Sequence, residues 1–126
     1  MNIPADLHYT KDHEWIKTDG KKARVGITDF AQGELGDIVF VEIETVDSHL
    51  EKGSTFGTIE AVKTVSDLFI PVSGKVLSLN PKINDTPDLI NKDPYGDGWL
   101  IEIEMDDSTQ VKELMDAKAY AAMLNV

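Results

Sequence analysis

Apolar and polar positions alternate in short runs along most of the chain, and a period of two is typical of half-buried β-strands. In one run Val39, Val41 and Ile43 face one way while Glu42 and Glu44 face the other. The last run has Trp99, Ile101, Ile103 and Met105 on one face. The pattern predicts strands over residues 13–18, 22–28, 37–44, 55–62, 65–70, 75–79 and 99–105.

Helical signals are fewer. Thr28 or Asp29 is expected to cap a short helix that Gly36 ends. Asp107 and Gln110 have capping-box spacing, with Asp116 as an alternative helix start. The segment 80–98 holds three prolines and two glycines and is expected to be loop, with at most one short helix near 87–90. One apolar helical face is predicted near the C-terminus, formed by Val111, Leu114, Met115, Ala119, Ala122 and Met123.

The length of 126 residues fits one domain, 1–126, and 41% hydrophobic residues are enough for a core. Many short strands, glycine-containing turns and a terminal helix indicate an antiparallel sandwich or flattened barrel. The chain has no cysteine, so disulfides, thiolate catalysis and cysteine-ligated zinc are excluded.

The charge is strongly acidic, with 12 basic and 23 acidic residues and a formal charge of −11. Such a field repels nucleic-acid phosphates and anionic membranes, so neither is expected as a partner. No membrane-spanning run and no signal peptide are visible in the sequence. We therefore expect a monomer in a bacterial cytoplasm. A location in the mitochondrial matrix is the weaker expectation, because no transit peptide is present.

Residues for autonomous catalysis are not arranged in a recognised pattern. The three histidines, His8, His13 and His49, lack zinc-ligand spacing, and there is no G-x-S-x-G elbow. The stretch ending in Lys63-Thr64 lacks the glycine that a phosphate-binding loop needs before its lysine. The sequence predicts neither a metal site nor catalytic residues, and a carrier fits better than an enzyme.

Lys63 lies where two predicted strands meet, and it is the only basic residue between Lys52 and Lys75. Residues 61–64 must reverse the chain there without glycine or asparagine, although a two-residue hairpin loop favours positive-φ residues. Local rules are often broken at functional sites. The plain alternative is a solvated surface lysine.

Sequence islands along nearly the whole chain accompany Lys63 in family order and spacing. The segment Glu60-Ala61-Val62-Lys63, with Gly74 downstream, resembles the modification site of the lipoyl-carrying H proteins of the glycine cleavage system. The other matching islands are His13-Glu14-Trp15, Val25-Gly26-Ile27-Thr28, Ala31-Gln32, Leu35-Gly36-Asp37, Val39-Phe40-Val41-Glu42, Pro71-Val72-Ser73-Gly74 and Pro94-Tyr95-Gly96-Asp97-Gly98-Trp99.

The resemblance implies a mainly β fold, a lipoyl-domain-like barrel-sandwich hybrid of two antiparallel sheets with short helices and a C-terminal helix. It also implies lipoate covalently bound to Lys63. Glu60 and Gly74 match positions read by the lipoylating enzymes, either a lipoate ligase or a lipoyl/octanoyl transferase. Their plain alternatives are a solvated strand-end carboxylate and a turn glycine.

The resemblance further implies a carrier that three enzymes use in turn. A pyridoxal-phosphate-dependent glycine decarboxylase (P protein) loads an aminomethyl group. A tetrahydrofolate-dependent aminomethyltransferase (T protein) removes it, and dihydrolipoamide dehydrogenase (L protein) reoxidises the dithiol. Cleft carboxylates that hold the loaded arm map to Glu14 and Asp67, and Asp12 is a third candidate. For Glu14 and Asp67 a plain surface role is the alternative.

Two positions depart from the family pattern: Phe30 and Glu34 stand where relatives often carry histidine. Three other functions stay open. A biotin carrier has a similar Glu-Ala-Met-Lys motif, but Val62 and Thr64 replace its methionines. An H-like protein that relays lipoate to other enzymes is the second. An unmodified acidic interaction domain, in which Lys63 stays free, is the third.

Overall fold

The structure is a computed structural model that describes residues 1–126. Its strands are β1 His8–Tyr9, β2 Glu14–Asp19, β3 Lys22–Ile27, β4 Ile38–Glu42, β5 His49–Leu50, β6 Thr55–Ala61, β7 Val65–Phe69, β8 Gly74–Leu79 and β9 Ile101–Met105. Its α-helices are α1 Asp29–Leu35, α2 Lys82–Asp85, α3 Leu89–Lys92 and α4 Ala117–Leu124, and a 3₁₀ helix covers Ser108–Glu113.

The strands form two antiparallel sheets. The larger has six strands in the order β1-β2-β3-β9-β8-β5, and the smaller has three in the order β4-β6-β7. One apolar core holds side chains of both, for example Val25 and Ile103 from the larger sheet with Ile59 and Leu68 from the smaller. The predicted mainly β fold with two antiparallel sheets, short helices and a C-terminal helix is confirmed; neither sheet closes into a barrel.

The β2–β3 hairpin shows how the sequence sets local structure. Asp19 pairs with Lys22, and Gly20 takes the positive φ of +64° that the tight turn requires. Farther along, Trp15 opposes Gly26, where an added Cβ would come within 2.6 Å of the indole. Gly26 therefore leaves the space in which the buried Trp15 packs.

Helix α1 follows the predicted capping. Thr28 Oγ1 accepts the Ala31 backbone N–H, and the helix ends at Gly36 with φ of +77°. In the segment 80–98 the structure has two short helices, α2 and α3, instead of at most one. The N-terminal segment, where no strand is predicted, contains strand β1, which pairs with β2.

The predicted face of strand β4 is wrong at Val39. A register shift between Ile38 and Phe40 places an irregularity in the pairing with β6. Ile38 and Val41 are buried, whereas Val39 is 47% exposed. A β-bulge adds one residue to one strand and interrupts the strict alternation of its side chains, so the simple period of two failed here.

The predicted C-terminal helical face is also wrong. The chain forms a 3₁₀ helix and then restarts at Asp116, whose carboxylate accepts the Ala119 N–H and caps α4. This break resets the helical phase, so Tyr120 is the buried side chain of α4 while Ala122 and Met123 are exposed. Asp107 caps the 3₁₀ helix through the Thr109 N–H.

Gln110 does not complete the expected capping box. Its side-chain oxygen accepts a hydrogen bond from the Ser73 backbone N–H at 2.8 Å, and so ties the 3₁₀ helix to the start of β8. A long-range partner has replaced the local one. No helix in the chain has both the length and the apolar character needed to cross a bilayer.

Candidate functional site

Lys63 lies in the loop between β6 and β7. Glu60 pairs with Val65, and the Ala61 N–H donates to the Thr64 carbonyl at 2.8 Å, so four residues, 61–64, reverse the chain. None of them has a positive φ. The turn is therefore not of type I′ or II′, the types that require a positive φ, and it does not need the glycine or asparagine that the sequence lacks.

The loop is anchored at its base. The Val62 N–H donates to the Asp37 carbonyl at 3.0 Å, and the buried Ala61 pairs with Ile38. Asn91 of α3 holds the same segment from below: it accepts the Ile38 N–H at 3.0 Å and donates to the Gly36 carbonyl at 2.8 Å. These bonds fix the backbone that presents Lys63.

The Lys63 side chain is exposed and forms neither an ion pair nor a hydrogen bond. Its Cε would lie 3.4 Å from a Cβ at Gly36. This is an ordinary van der Waals distance, so the lysine stem lies beside the end of α1. The amine is therefore free and accessible from solvent on a fixed loop.

A cleft of about 420 Å³ lies between α1, the β1–β2 connection and β7. It brings together all three carboxylates predicted for a cleft, Asp12, Glu14 and Asp67. Glu34 from α1 adds a fourth, and no lysine or arginine lines the cavity. The cleft therefore suits a cationic group, and it reaches Leu35, next to the glycine beside Lys63.

Glu14 is buried, so a plain surface role is wrong for this residue, whereas Asp67 is exposed. The Glu14 carboxylate accepts the Thr10 hydroxyl at 2.8 Å and the Phe69 N–H at 3.1 Å. Burial raises the pKa of Glu14 to about 7, and the charge of Asp12 adds to that rise. The two hydrogen bonds act in the opposite direction.

His13 also lines the cleft, and the sequence reasoning assigned it no role there. Its backbone has a φ of +68°. The centroids of its ring and the Phe30 ring are 4.7 Å apart, and its Nδ1 lies 2.8 Å from the Tyr120 hydroxyl. Burial lowers its pKa. The only available signal was its position beside Glu14, because Tyr120 lies 107 residues away along the chain.

Glu60 and Gly74 lie in different sheets. Glu60 is exposed on β6 between Phe40 and Val65. Gly74 is not a turn glycine: it begins β8, is buried, and pairs with Leu50 and Met105. A Cβ on Gly74 would overlap the Glu104 backbone oxygen.

Comparison with known proteins covers nearly the whole chain. The family model described as glycine cleavage H-protein matches residues 7–126. The chain belongs to the glycine cleavage H-protein family. A glycine cleavage system H protein of Bacteroides thetaiotaomicron is 55% identical over 125 residues, with 99% of each chain covered. One from Chlorobium limicola is 55% identical over 126 residues, with 98% of each covered.

The fold agrees as well. The crystal structure of a glycine cleavage system H protein from Mycobacterium marinum superposes with a TM-score of 0.90 at 41% identity, covering 98% of this chain and 100% of that one. The family assignment made from the sequence islands is thus confirmed. The expected role of this H protein as the lipoyl carrier component of glycine cleavage is supported by these relatives.

Proposed function

We propose that this H protein carries lipoate as an amide on Lys63 and has no active site of its own. The observation that carries the proposal is an exposed, unpaired lysine on an anchored hairpin loop beside an acidic cleft. Membership of the glycine cleavage H-protein family supports it.

The residues present fit the group. The Lys63 amine has no competing ion-pair or hydrogen-bond partner, and its stem lies beside Gly36 at the end of α1. Nearby, the cleft combines apolar side chains such as Phe30 and Leu35 with its four carboxylates. A flexible aliphatic arm with a polar end group matches that mixture, because small-molecule sites are mainly apolar with a few placed polar groups.

Attachment needs only the lysine nucleophile from this chain. In the ligase route the neutral Lys63 amine attacks the carbonyl of lipoyl adenylate, the amide bond forms, and AMP and a proton leave. In the transferase route the same amine displaces a carrier-protein thiol from an acyl thioester. Either route removes the positive charge of Lys63.

Bound lipoate supplies a dithiolane that accepts and releases the aminomethyl group, so the cofactor carries the difficult chemistry. This chain supplies position. Asp67 and Glu14 are placed to receive a cationic nitrogen through charge-assisted hydrogen bonds, with Asp12 and Glu34 adding to the field. Glu14 itself is buried, whereas Asp67 is exposed to solvent.

The proposed partners are the other components of glycine cleavage: the glycine decarboxylase, the aminomethyltransferase and dihydrolipoamide dehydrogenase. Lipoate ligase or lipoyl/octanoyl transferase modifies the chain beforehand. Tethering the group to Lys63 raises its effective concentration at each enzyme once the proteins meet.

The direct test is mass spectrometry of the native protein, aimed at the peptide that contains Lys63. We expect a lipoyl increment on this lysine, its complete loss in Lys63→Arg, and no effect of the control Lys75→Arg. A biotin increment would reassign the chain to biotin carriers. An unmodified Lys63, in cells whose other lipoyl proteins are modified, would leave an acidic interaction domain.

A transfer assay addresses the relay alternative. Lipoylated H protein is incubated with an unmodified lipoyl-accepting domain and a lipoyl-transferring enzyme. A lipoyl group appearing on the acceptor domain would show a relay. A lipoyl group retained on Lys63, together with turnover by the glycine decarboxylase, would support the glycine cleavage role.

A further inference from the structure

We propose that an apolar collar around Lys63 is the docking surface for the enzyme that attaches lipoate, and that this enzyme presents an apolar entrance rimmed by basic side chains. The collar consists of Val39, Phe40, Val62 and Val65. The proposal rests on the proposed function, because it needs Lys63 to be the modified residue.

Exposure of large apolar side chains is concentrated at this end of the molecule. Phe40 is 52% exposed, Val65 is 61% exposed and Val62 is 76% exposed. The remaining exposed large apolar residues outside the collar, Met1, Met123 and Val126, belong to the two terminal segments. Large exposed apolar side chains that are grouped on one part of a folded domain indicate an interaction site.

Strand register brings two residues of the collar, Phe40 and Val65, to one face of the smaller sheet. Phe40 of β4 pairs with Glu60 of β6, and Glu60 pairs with Val65 of β7. Directly opposed residues in a sheet point to the same face. Phe40 and Val65 therefore flank Glu60 in one row across the outer face of the three-stranded sheet. Glu60 lies three residues before Lys63 in the chain.

Apart from Lys63 itself, the charged side chains around the collar are acidic. The next row on the same face holds Glu42 and Asp67 on either side of Thr58. Lys63 is the only lysine or arginine in α1, β4, β6, β7 and the loop. A partner that approaches this face meets acidic side chains, so electrostatic complementarity requires basic ones.

Reach decides between the lipoate-attaching enzyme and the enzymes that act later. The bond from the Val62 N–H to the Asp37 carbonyl and the pairing of Ala61 with Ile38 hold the loop against the start of β4. An enzyme that acylates the unmodified lysine must bring its reactive carbonyl to the end of a single side chain. Its active-site entrance must then cover the loop and the adjoining collar, whereas later enzymes reach the end of a longer arm.

The test is the kinetics of lipoylation of the unmodified protein by a purified lipoate–protein ligase with lipoic acid and ATP. The variant is the double substitution Phe40→Thr with Val65→Thr, since threonine suits a strand and removes the apolar contact. The matched control is Met123→Thr, an exposed apolar residue at 42% exposure outside the collar. Binding of each unmodified protein to the ligase is measured by calorimetry.

We expect kcat/KM of the double variant to fall at least tenfold, mainly through KM, with binding weakened to match, since a few apolar anchors dominate interfaces. The control is expected to stay within twofold of the wild type. Circular dichroism and thermal unfolding check that the variants fold. Should the double variant unfold, Val65→Lys is used, which places a repelling cation in the collar.

Unchanged kcat/KM and binding in a folded collar variant would overturn the proposal, even if a later glycine cleavage enzyme were slowed. Failure of the proposed function looks different, because the wild-type chain itself would then not be lipoylated on Lys63 while a control lipoyl domain was modified in the same assay.

Discussion

Glu14 joins the two sheets through its side chain. It lies on β2 of the larger sheet and accepts the Phe69 N–H from β7 of the smaller one. Its carboxylate also receives the Thr10 hydroxyl, yet burial still raises its pKa to about 7. The same group faces the cleft near Lys63, so its protonation links the stability of the fold to the charge of the proposed arm site.

The pH dependence of stability follows from this shift. Between pH 4.5 and about 7 the folded state binds a Glu14 proton that the unfolded state has released, so stability falls as pH rises through this window. Glu14→Gln keeps an acceptor for Phe69 and a donor for the Thr10 oxygen, but never ionises. We expect the stability of this variant relative to wild type to increase by roughly 2 kcal/mol from pH 5 to pH 8.

Urea unfolding of both proteins across that range measures this difference. Glu34→Gln, a carboxylate of the same cleft that the structure leaves without an ion pair or hydrogen bond, is the control and should show no comparable change. A pH-independent difference between wild type and Glu14→Gln would contradict the raised pKa.

Glu60 and Gly74 should separate recognition from folding. The Glu60 side chain is exposed and forms no ion pair or hydrogen bond. Glu60→Gln should therefore keep the free energy of unfolding within about 0.5 kcal/mol of wild type while slowing lipoylation.

Gly74→Ala forces a Cβ onto the Glu104 backbone and should lower the free energy of unfolding by about 1–3 kcal/mol. Denaturant unfolding and lipoylation rates are measured for both variants. A Gly74→Ala protein that is stable but poorly lipoylated would show that the lipoylating enzyme recognises Gly74 directly.

At the scale of elements, the hairpin loop depends on α3. Asn91 makes three hydrogen bonds, with Gln32, Gly36 and Ile38, which join α1 and β4 beneath the loop. This helix has only four residues and belongs to a segment that composition describes as loop. Its contribution to the site is the placement of one amide side chain.

Asn91→Ala should loosen the base of the loop. Loss of the side-chain amide leaves the Ile38 N–H and the Gly36 carbonyl without these partners, at a cost of about 1–3 kcal/mol. Hydrogen exchange should accelerate at Ile38 and Val62. Asn84→Ala in α2, where the asparagine side chain makes no hydrogen bond, is the control; equal exchange in both variants would mean that Asn91 does not hold the loop.

At the scale of the whole molecule, the charge of −11 favours basic partners, and Lys63 sits in the part of the chain that has no other lysine or arginine. Attraction between exposed charges is screened over about 8 Å at physiological ionic strength. The lipoylation kcat/KM should therefore fall several-fold between about 0.05 and 0.5 M NaCl, because added salt shortens the screening length.

Matched charge variants locate this effect. Glu42→Gln on the outer face of the smaller sheet should reduce the salt dependence. Asp19→Asn, beside the β2–β3 turn of the larger sheet, makes the same change in total charge and should leave it unaltered. Equal slopes for the two variants would show that total charge alone matters.

Local sequence rules predicted the elements that depend on neighbours in the chain. Thr28 caps α1 through a residue three positions away, and the helix ends at the predicted Gly36. Family resemblance added Lys63 as the site of lipoate, which remains a prediction. One prediction failed where a long-range contact replaced a local one, because Gln110 bonds to Ser73 and not within its own turn.

By itself, the sequence determined the strand pattern, the acidic charge and the family, because these depend only on residue types and their spacing. Only the tertiary structure decided that Val39 is exposed at a bulge, that Gly74 is buried against Glu104, and that Glu14 titrates near neutral pH. Each of these depends on which distant backbone or side chain packs against the residue, and the order of residues along one strand does not specify that partner.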